Sequence, residues 1–287
     1  MKLKKWAIMA LSIVTAVSLA ACSSDKGAST DAKGVGFKEK IEKRGKFIAG
    51  VKFDSNLFGF KDPADQTVKG FEVDLMKEFT KRTFGDVNML ELKEVTSKTR
   101  EKMLTSGEID VIAATMTITP KRKETADFSR VYFLAGQALL VKKGSPIKDV
   151  KDLNGKQVGT AKGAVSGKNL KAINKDAVVK EYSNYAEAFQ ALRGGIIDAV
   201  TTDDGILAGM AKQDPNYEVV GNRFSKEPYG VAVDKKNKDL LEAMNKFLDD
   251  TIKDGTYNQL YKKWFGQDAP KDLPRDAVLE LQPGVDG

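Results

Sequence analysis

The residues best suited to hold a charged ligand form one segment, Ala114-Thr115-Met116-Thr117-Ile118-Thr119-Pro120-Lys121-Arg122. An apolar strand runs there into a hydroxyl-rich loop. Pro120 suits a first helical turn, where its missing N–H is not needed. A strand end leading into a helix start exposes backbone N–H groups, which suits an anion. Thr115 and Thr117 with the Arg122 fork could hold a carboxylate by bidentate, charge-assisted hydrogen bonds. The same residues would equally make a capped turn with a solvated arginine. Asp203, which closes another apolar run, reads on its own as a helix N-cap.

Other chemistry is thinly supplied. The chain has no histidine, so a Ser-His-Asp triad, a His base and a His-ligated zinc are all excluded. No Walker loop or G-x-G-x-x-G cradle appears. Among 40 acidic residues, a nearby carboxylate pair carries no information. Neither catalytic residues, metal nor cofactor are expected, and binding without turnover is the leading class. The formal net charge is +7, of which Lys2, Lys4 and Lys5 supply three. The small remainder is no argument for nucleic acid.

The elements that must position these residues alternate between strands and amphipathic helices, the signature of an α/β fold. Phe47-Ile48-Ala49-Gly50-Val51 reads as a buried strand. Residues 70–84 read as a helix, with Phe71, Leu75 and Phe79 on one face and Glu72, Asp74, Lys77 and Glu78 opposite. Strands at 89–95 and 111–114 bracket a helix near 99–105. A second block repeats the alternation, with strands at 156–159, 178–182 and 197–201 and helices at 166–173, 185–193 and 206–211. Helices at 240–253 and 257–265 follow. The tail, 268–287, has weak periodicity and receives no function.

The N-terminus reads as a secretory signal: three lysines, then an apolar run of residues 6–21, shorter than the roughly 20 residues a membrane span needs. Leu19-Ala20-Ala21-Cys22 resembles the bacterial lipobox, in which the cysteine is acylated after cleavage. Cys22 is the only cysteine, so no intramolecular disulfide is possible. Residues 1–21 are thus expected to be a lipoprotein signal peptide and 22–36 a flexible tether. The remainder would lie on the outer face of the cell membrane, held there by lipid.

Most of residues 46–266 resemble the polar amino-acid binding proteins of ABC importers, the bacterial extracellular solute-binding protein family 3. The resemblance rests on residues 114–122 with Asp127-Phe128-Ser129 and Val131-Tyr132-Phe133, and on Gly50-Val51-Lys52 and Lys69-Gly70-Phe71-Glu72-Val73-Asp74-Leu75. It extends through Asp198-Ala199-Val200-Thr201-Thr202-Asp203, Pro228-Tyr229-Gly230-Val231 and the run from Asp254-Gly255-Thr256-Tyr257 to Lys263-Trp264-Phe265-Gly266. It implies a two-lobed, periplasmic-binding-protein-like (type II) α/β fold with two chain crossings, placed near 139–143 and 226–231. Lobe 1 would comprise 37–143 and 226–267, and lobe 2 144–225.

The resemblance also implies roles. Arg122, with Thr115, Thr117 and neighbouring N–H groups, would clamp the ligand α-carboxylate, and Asp203 of lobe 2 would take the α-ammonium. Ser166 would meet the ligand from a helix start where relatives usually carry Thr at the position of Val165. Tyr229 would line the cleft. Arg100 and Lys52 would face the ligand side chain, favouring a carboxylate over an amide by about 1–3 kcal/mol. Glutamate or aspartate is therefore favoured, with glutamine second. The expected partners are the free amino acid, a permease with its ATPase and the membrane, and the chain is expected to be a monomer. Micromolar affinity for about 10 heavy atoms requires nearly complete burial, hence hinge closure. A dehydratase-like enzyme on the same scaffold, or an adhesion or sensory protein, is the alternative.

Overall fold

A computed structural model describes residues 36–281. The expected signal peptide, Cys22 and all but the last residue of the tether lie outside the described residues. Among the described residues, no helix is long and apolar enough to cross a membrane.

The chain enters through α1 (Phe37–Arg44), which the sequence pattern did not reveal, and then β1 (Phe47–Val51). Three short strands, β2 (Asp54–Ser55), β3 (Gly59–Lys61) and β4 (Val68–Lys69), form a small meander. It leads into α2 (Phe71–Phe84). Gly70 permits this junction: its φ is 148°, and a Cβ there would lie 1.9 Å from the Phe58 carbonyl oxygen. Next come β5 (Leu90–Glu94), α3 (Arg100–Thr105), β6 (Val111–Ala113), α4 (Pro120–Lys123) and β7 (Ala126–Phe128). Thr119 caps α4 by accepting from the Arg122 N–H, and Pro120 occupies its first turn.

The next strands are β8 (Phe133–Ala135) and β9 (Gln137–Lys142). Then follow β10 (Gln157–Ala161), α5 (Ser166–Ile173), β11 (Val178–Tyr182), α6 (Tyr185–Arg193), β12 (Ala199–Asp203), α7 (Asp204–Gln213) and β13 (Tyr217–Val220). The return passes through β14 (Ser225–Tyr229) to β15 (Ala232–Asp234), α8 (Lys238–Lys253) and α9 (Thr256–Phe265). It ends at β16 (Glu280–Leu281).

Two five-stranded sheets define the two lobes, in the orders β5-β1-β6-β15-β7 and β11-β10-β12-β9-β13. In each, the first three strands are mutually parallel, the fourth (β15 or β9) is antiparallel to them, and the fifth (β7 or β13) pairs antiparallel with the fourth and so runs in the direction of the first three. A third sheet, β16-β14-β8, joins the lobes. The first crossing is therefore β8, not residues 139–143. Leu139, Leu140 and Val141 are committed to the second sheet by pairing with both β12 and β13, so that lobe begins at about Gln137. The strand expected at 197–201 begins two residues later, because Asp198 uses its carboxylate to accept the Gln157 N–H.

Helix α2 buries more than the expected stripe. Phe71, Leu75 and Phe79 are buried, but so are Glu72, Val73, Met76 and Thr80. Glu72 is thus not on a solvent face: the helix start is covered on both sides. Phe71 contacts Tyr132, Phe133, Tyr257, Tyr261 and Phe265, tying α2 to α9 and to the crossing strand β8.

The described part of the tail is docked. The Leu279 N–H donates to the Ile118 carbonyl at 2.8 Å, and the Val131 N–H donates to that of Arg275 at 3.2 Å. Arg275 also grips both carboxylate oxygens of Asp249, at 2.7 and 2.9 Å. Replacing Phe71 by Ala should lower unfolding free energy by about 3–5 kcal/mol in urea titrations, the usual cost of emptying a large aromatic site.

Candidate functional site

The two parallel halves place their loops on common ground. Lys52 follows β1, Arg100 opens the helix after β5, and Thr115 and Thr117 follow β6. Ser166 opens the helix after β10, and Asp203 ends β12. All lie at the carboxyl ends of strands, where open α/β sheets gather ligands. All eight expected ligand-binding residues, including Arg122 and Tyr229, are at most 6% exposed.

Arg122 faces the second lobe. Its Nη1 donates to the Thr117 carbonyl at 2.8 Å, its Nε to Glu101 Oε1 at 3.3 Å, and its Nη2 to the Gly163 carbonyl across the cleft at 3.4 Å. Asp203 accepts from the Tyr229 hydroxyl through Oδ2, while its buried Oδ1 has no partner. Burial and then the nearby Glu227 push its carboxyl well above the ordinary range, and Arg122 acts in the opposite direction. Tyr229 stacks on Phe133 at 5.6 Å and belongs to the crossing sheet.

Lys52 is wholly buried. It pairs with Asp54 at 3.4 Å, reaches Ser97 Oγ at 3.5 Å and lies 5.1 Å from the Tyr185 ring centre. Burial weakens its hold on a proton, and Asp54 partly restores it. Arg100 donates through Nη1 to the carbonyls of Ala114 at 2.5 Å and Thr115 at 3.3 Å, leaving Nε unpartnered. Burial, then repulsion from Arg122, lowers its pKa to about 10. The Ser166 carbonyl accepts from Gln137 at 2.9 Å.

The structure brings these eight residues together in one buried region between the lobes. It adds others the sequence did not single out. Glu72 accepts from the Thr115 N–H at 2.6 Å and from the Tyr132 hydroxyl, holding Thr115 in the left-handed region at φ 47°. Glu227, Asn169, Gln137 and Tyr185 complete the polar interior. Glu72 and Glu227 both lay within or beside recognised motifs, but nothing in their spacing marked them as buried. Among the described residues no group of three or more His, Cys, Asp or Glu could hold a metal.

The lobes touch across the cleft. The Tyr185 N–H donates to Asp54 Oδ2 at 2.8 Å, and Asn56 Nδ2 donates to the Gly209 carbonyl at 3.3 Å. The arrangement is closed.

This fold and this site define a two-lobed receptor of the type II periplasmic kind, built to enclose a small polar solute. A family model for bacterial extracellular solute-binding proteins, family 3, matches residues 47–267, and the chain belongs to that family. It is 51% identical to a glutamine-binding protein of Geobacillus stearothermophilus, over 84% of this chain and 96% of that one. It is 45% identical to the ABC transporter glutamine-binding protein GlnH of Bacillus subtilis (strain 168), over 92% and 98%. Among solved structures, an ancestral arginine-binding protein bound to glutamine superposes with a TM-score of 0.73 at 44% identity. That match covers 78% of this chain and 99% of the other. An ancestral amino acid-binding protein, precursor of cyclohexadienyl dehydratase, gives 0.73 at 36% identity over 79% and 99%. These relatives are binding proteins, and the reading of a receptor without turnover rests on that agreement.

Two outcomes follow from the geometry. Burial raises the Glu72 pKa from 4.5 to about 7, so the folded protein retains a proton that the unfolded chain loses. Stability should therefore fall as pH rises from about 4.5 to 7, by up to about 3 kcal/mol, and Glu72→Gln should flatten that decline in thermal melts. Gly163 has φ +82°, and a Cβ would lie 2.7 Å from Lys98 Cα in the opposite lobe. Gly163→Ala should leave a folded protein that cannot close fully, weakening ligand binding at least tenfold by calorimetry.

Proposed function

We propose that this chain captures a free polar amino acid for an ABC importer, with glutamine the preferred ligand, by closing two lobes on it. The observation that carries this reading is the burial of Arg122 from one lobe and Asp203 from the other within electrostatic reach of each other, Asp203 keeping a buried oxygen without partner. A zwitterion supplies what both lack: its α-carboxylate answers Arg122 and its α-ammonium answers Asp203. The names of the most similar relatives support an amino acid as the solute and a permease with its ATPase as the recipient.

The preference for glutamine over glutamate or aspartate comes from the far end of the site. Two cations there, Lys52 and Arg100, argued from sequence for a second carboxylate. In the fold each has an acidic neighbour: Asp54 beside Lys52, and Glu72 acting on both. Arg100 is further engaged with two backbone carbonyls. Lys52 is thus paired with Asp54 and Arg100 is partly occupied by carbonyls, which leaves less free positive charge for a second carboxylate and suits a neutral amide that both donates and accepts. Acylation of Cys22 would hold the receptor on the outer face of the membrane, beside its permease.

Calorimetry of the ligand-stripped protein against the common amino acids tests this reading. Glutamine should bind with micromolar or tighter affinity, glutamate at least tenfold more weakly, and Asp203→Ala should lose at least a hundredfold. Unchanged affinity in Asp203→Ala would remove the basis of the proposal.

A further inference from the structure

Glu227 has no role in the reading above, yet it is a fully buried carboxylate on the crossing strand β14. Its Oε1 accepts from Asn169 Nδ2 at 3.0 Å and from Ser225 Oγ at 3.0 Å, whereas its Oε2 has no partner. Asn169 also donates to Gln137 Oε1 at 3.0 Å, and Gln137 lies opposite Asp203 in the β9–β12 pairing. From the other lobe, Thr117 is bridged through its backbone to Tyr229, two residues along β14 from Glu227. Tyr229 in turn donates to Asp203. Two buried carboxylates, each with one unanswered oxygen, thus belong to one polar network running through Tyr229, Gln137 and Asn169, and Glu227 acts electrostatically on Asp203.

We propose that Glu227 is a second carboxylate of the ammonium seat, and that the ligand-free protein keeps a proton on the Asp203–Glu227 pair which the incoming ammonium displaces. The proposal rests on the amino-acid reading above and specifies its chemistry. Two like charges this deeply buried do not both ionise readily. Burial raises both carboxyl groups, and Asp203 is raised further by Glu227 itself. The groups facing the pair are Arg122 from α4, which favours ionisation, and Asp204 from α7, which opposes it. Tyr229 on β14 and Tyr185 on α6 stay protonated. A single arginine that the ligand carboxylate also engages leaves the pair short of positive charge. On binding, the ammonium retains its three protons, the pair becomes fully ionised, and the displaced proton passes to solvent.

The experiment is calorimetric titration of the full, ligand-stripped chain with glutamine at pH 6.5, in phosphate and in imidazole, whose ionisation heats differ. The expected heats differ between buffers by an amount corresponding to a substantial fraction of one proton released, and the affinity rises with pH. Glu227→Gln should abolish the buffer dependence and weaken glutamine binding at least tenfold while melting near the parent temperature. Equal heats in both buffers for the unaltered protein, or parental affinity in Glu227→Gln, overturns the proposal and leaves amino-acid capture standing. Failure of every amino acid to bind overturns both. The buffer comparison uses the unaltered chain, so a folding defect in the variant cannot mask the result.

Discussion

Charge buried between two lobes must be answered by charge, and this requirement organises the molecule. Arg122, on α4 of one lobe, and Asp203, at the end of β12 in the other, are both removed from water. Protein groups meet part of their needs: carbonyls of Thr117 and Gly163 for the guanidinium, the Tyr229 hydroxyl for the carboxylate. The shortfall remains on Asp203, and a buried ion without full pairing costs several kcal/mol. Closure without a partner for that oxygen is therefore handicapped relative to closure around a solute that supplies one. On the proposed reading, selectivity for a zwitterion and the coupling of binding to closure have a common electrostatic origin.

The fold meets this requirement with repeated use of one device. Parallel strands end at the same edge of each sheet, so successive loops bring cation, hydroxyl and carboxylate to one place without long insertions. The crossing strands supply more than a mechanical joint, since β14 carries Glu227 and Tyr229 within five residues of sequence. The aromatic cluster around Phe58, Phe71 and Phe133 packs against the crossing strands.

Much of this was legible in the sequence because the relevant signals are local. The helices at 166–173 and 185–193 and the strand at 178–182 follow directly from hydrophobic period and flanking turn residues. What the sequence hid depended on partners distant in the chain. Phe133-Leu134-Ala135 and Leu139-Leu140-Val141 are similar apolar runs separated by a few residues. Only their pairing with β14 in one case, and β12 and β13 in the other, makes one a crossing and the other a sheet strand. Glu72 was placed with the solvated face because helical period does not register the loop and Tyr132 that cover the helix start. Glu227 was one acid among 40 until Asn169, 58 residues away, met it. The tail escaped notice because its attachments are backbone hydrogen bonds at Arg275 and Leu279 and an ion pair between Arg275 and Asp249, 26 residues away, none of which leaves a periodic signal.

That docked tail changes how the end of the chain can be used. Glu280 and Leu281 pair with Lys226 and Ser225 at the second-lobe end of the joint, while Arg275 and Leu279 are fastened to the first lobe. The segment thus straddles the pivot like a splint. If the lobes close as proposed, a fluorophore or reporter domain attached near Leu281 would sit on the axis of that closure and so report, or disturb, it. An attachment on the far rim of either lobe would register only its translation.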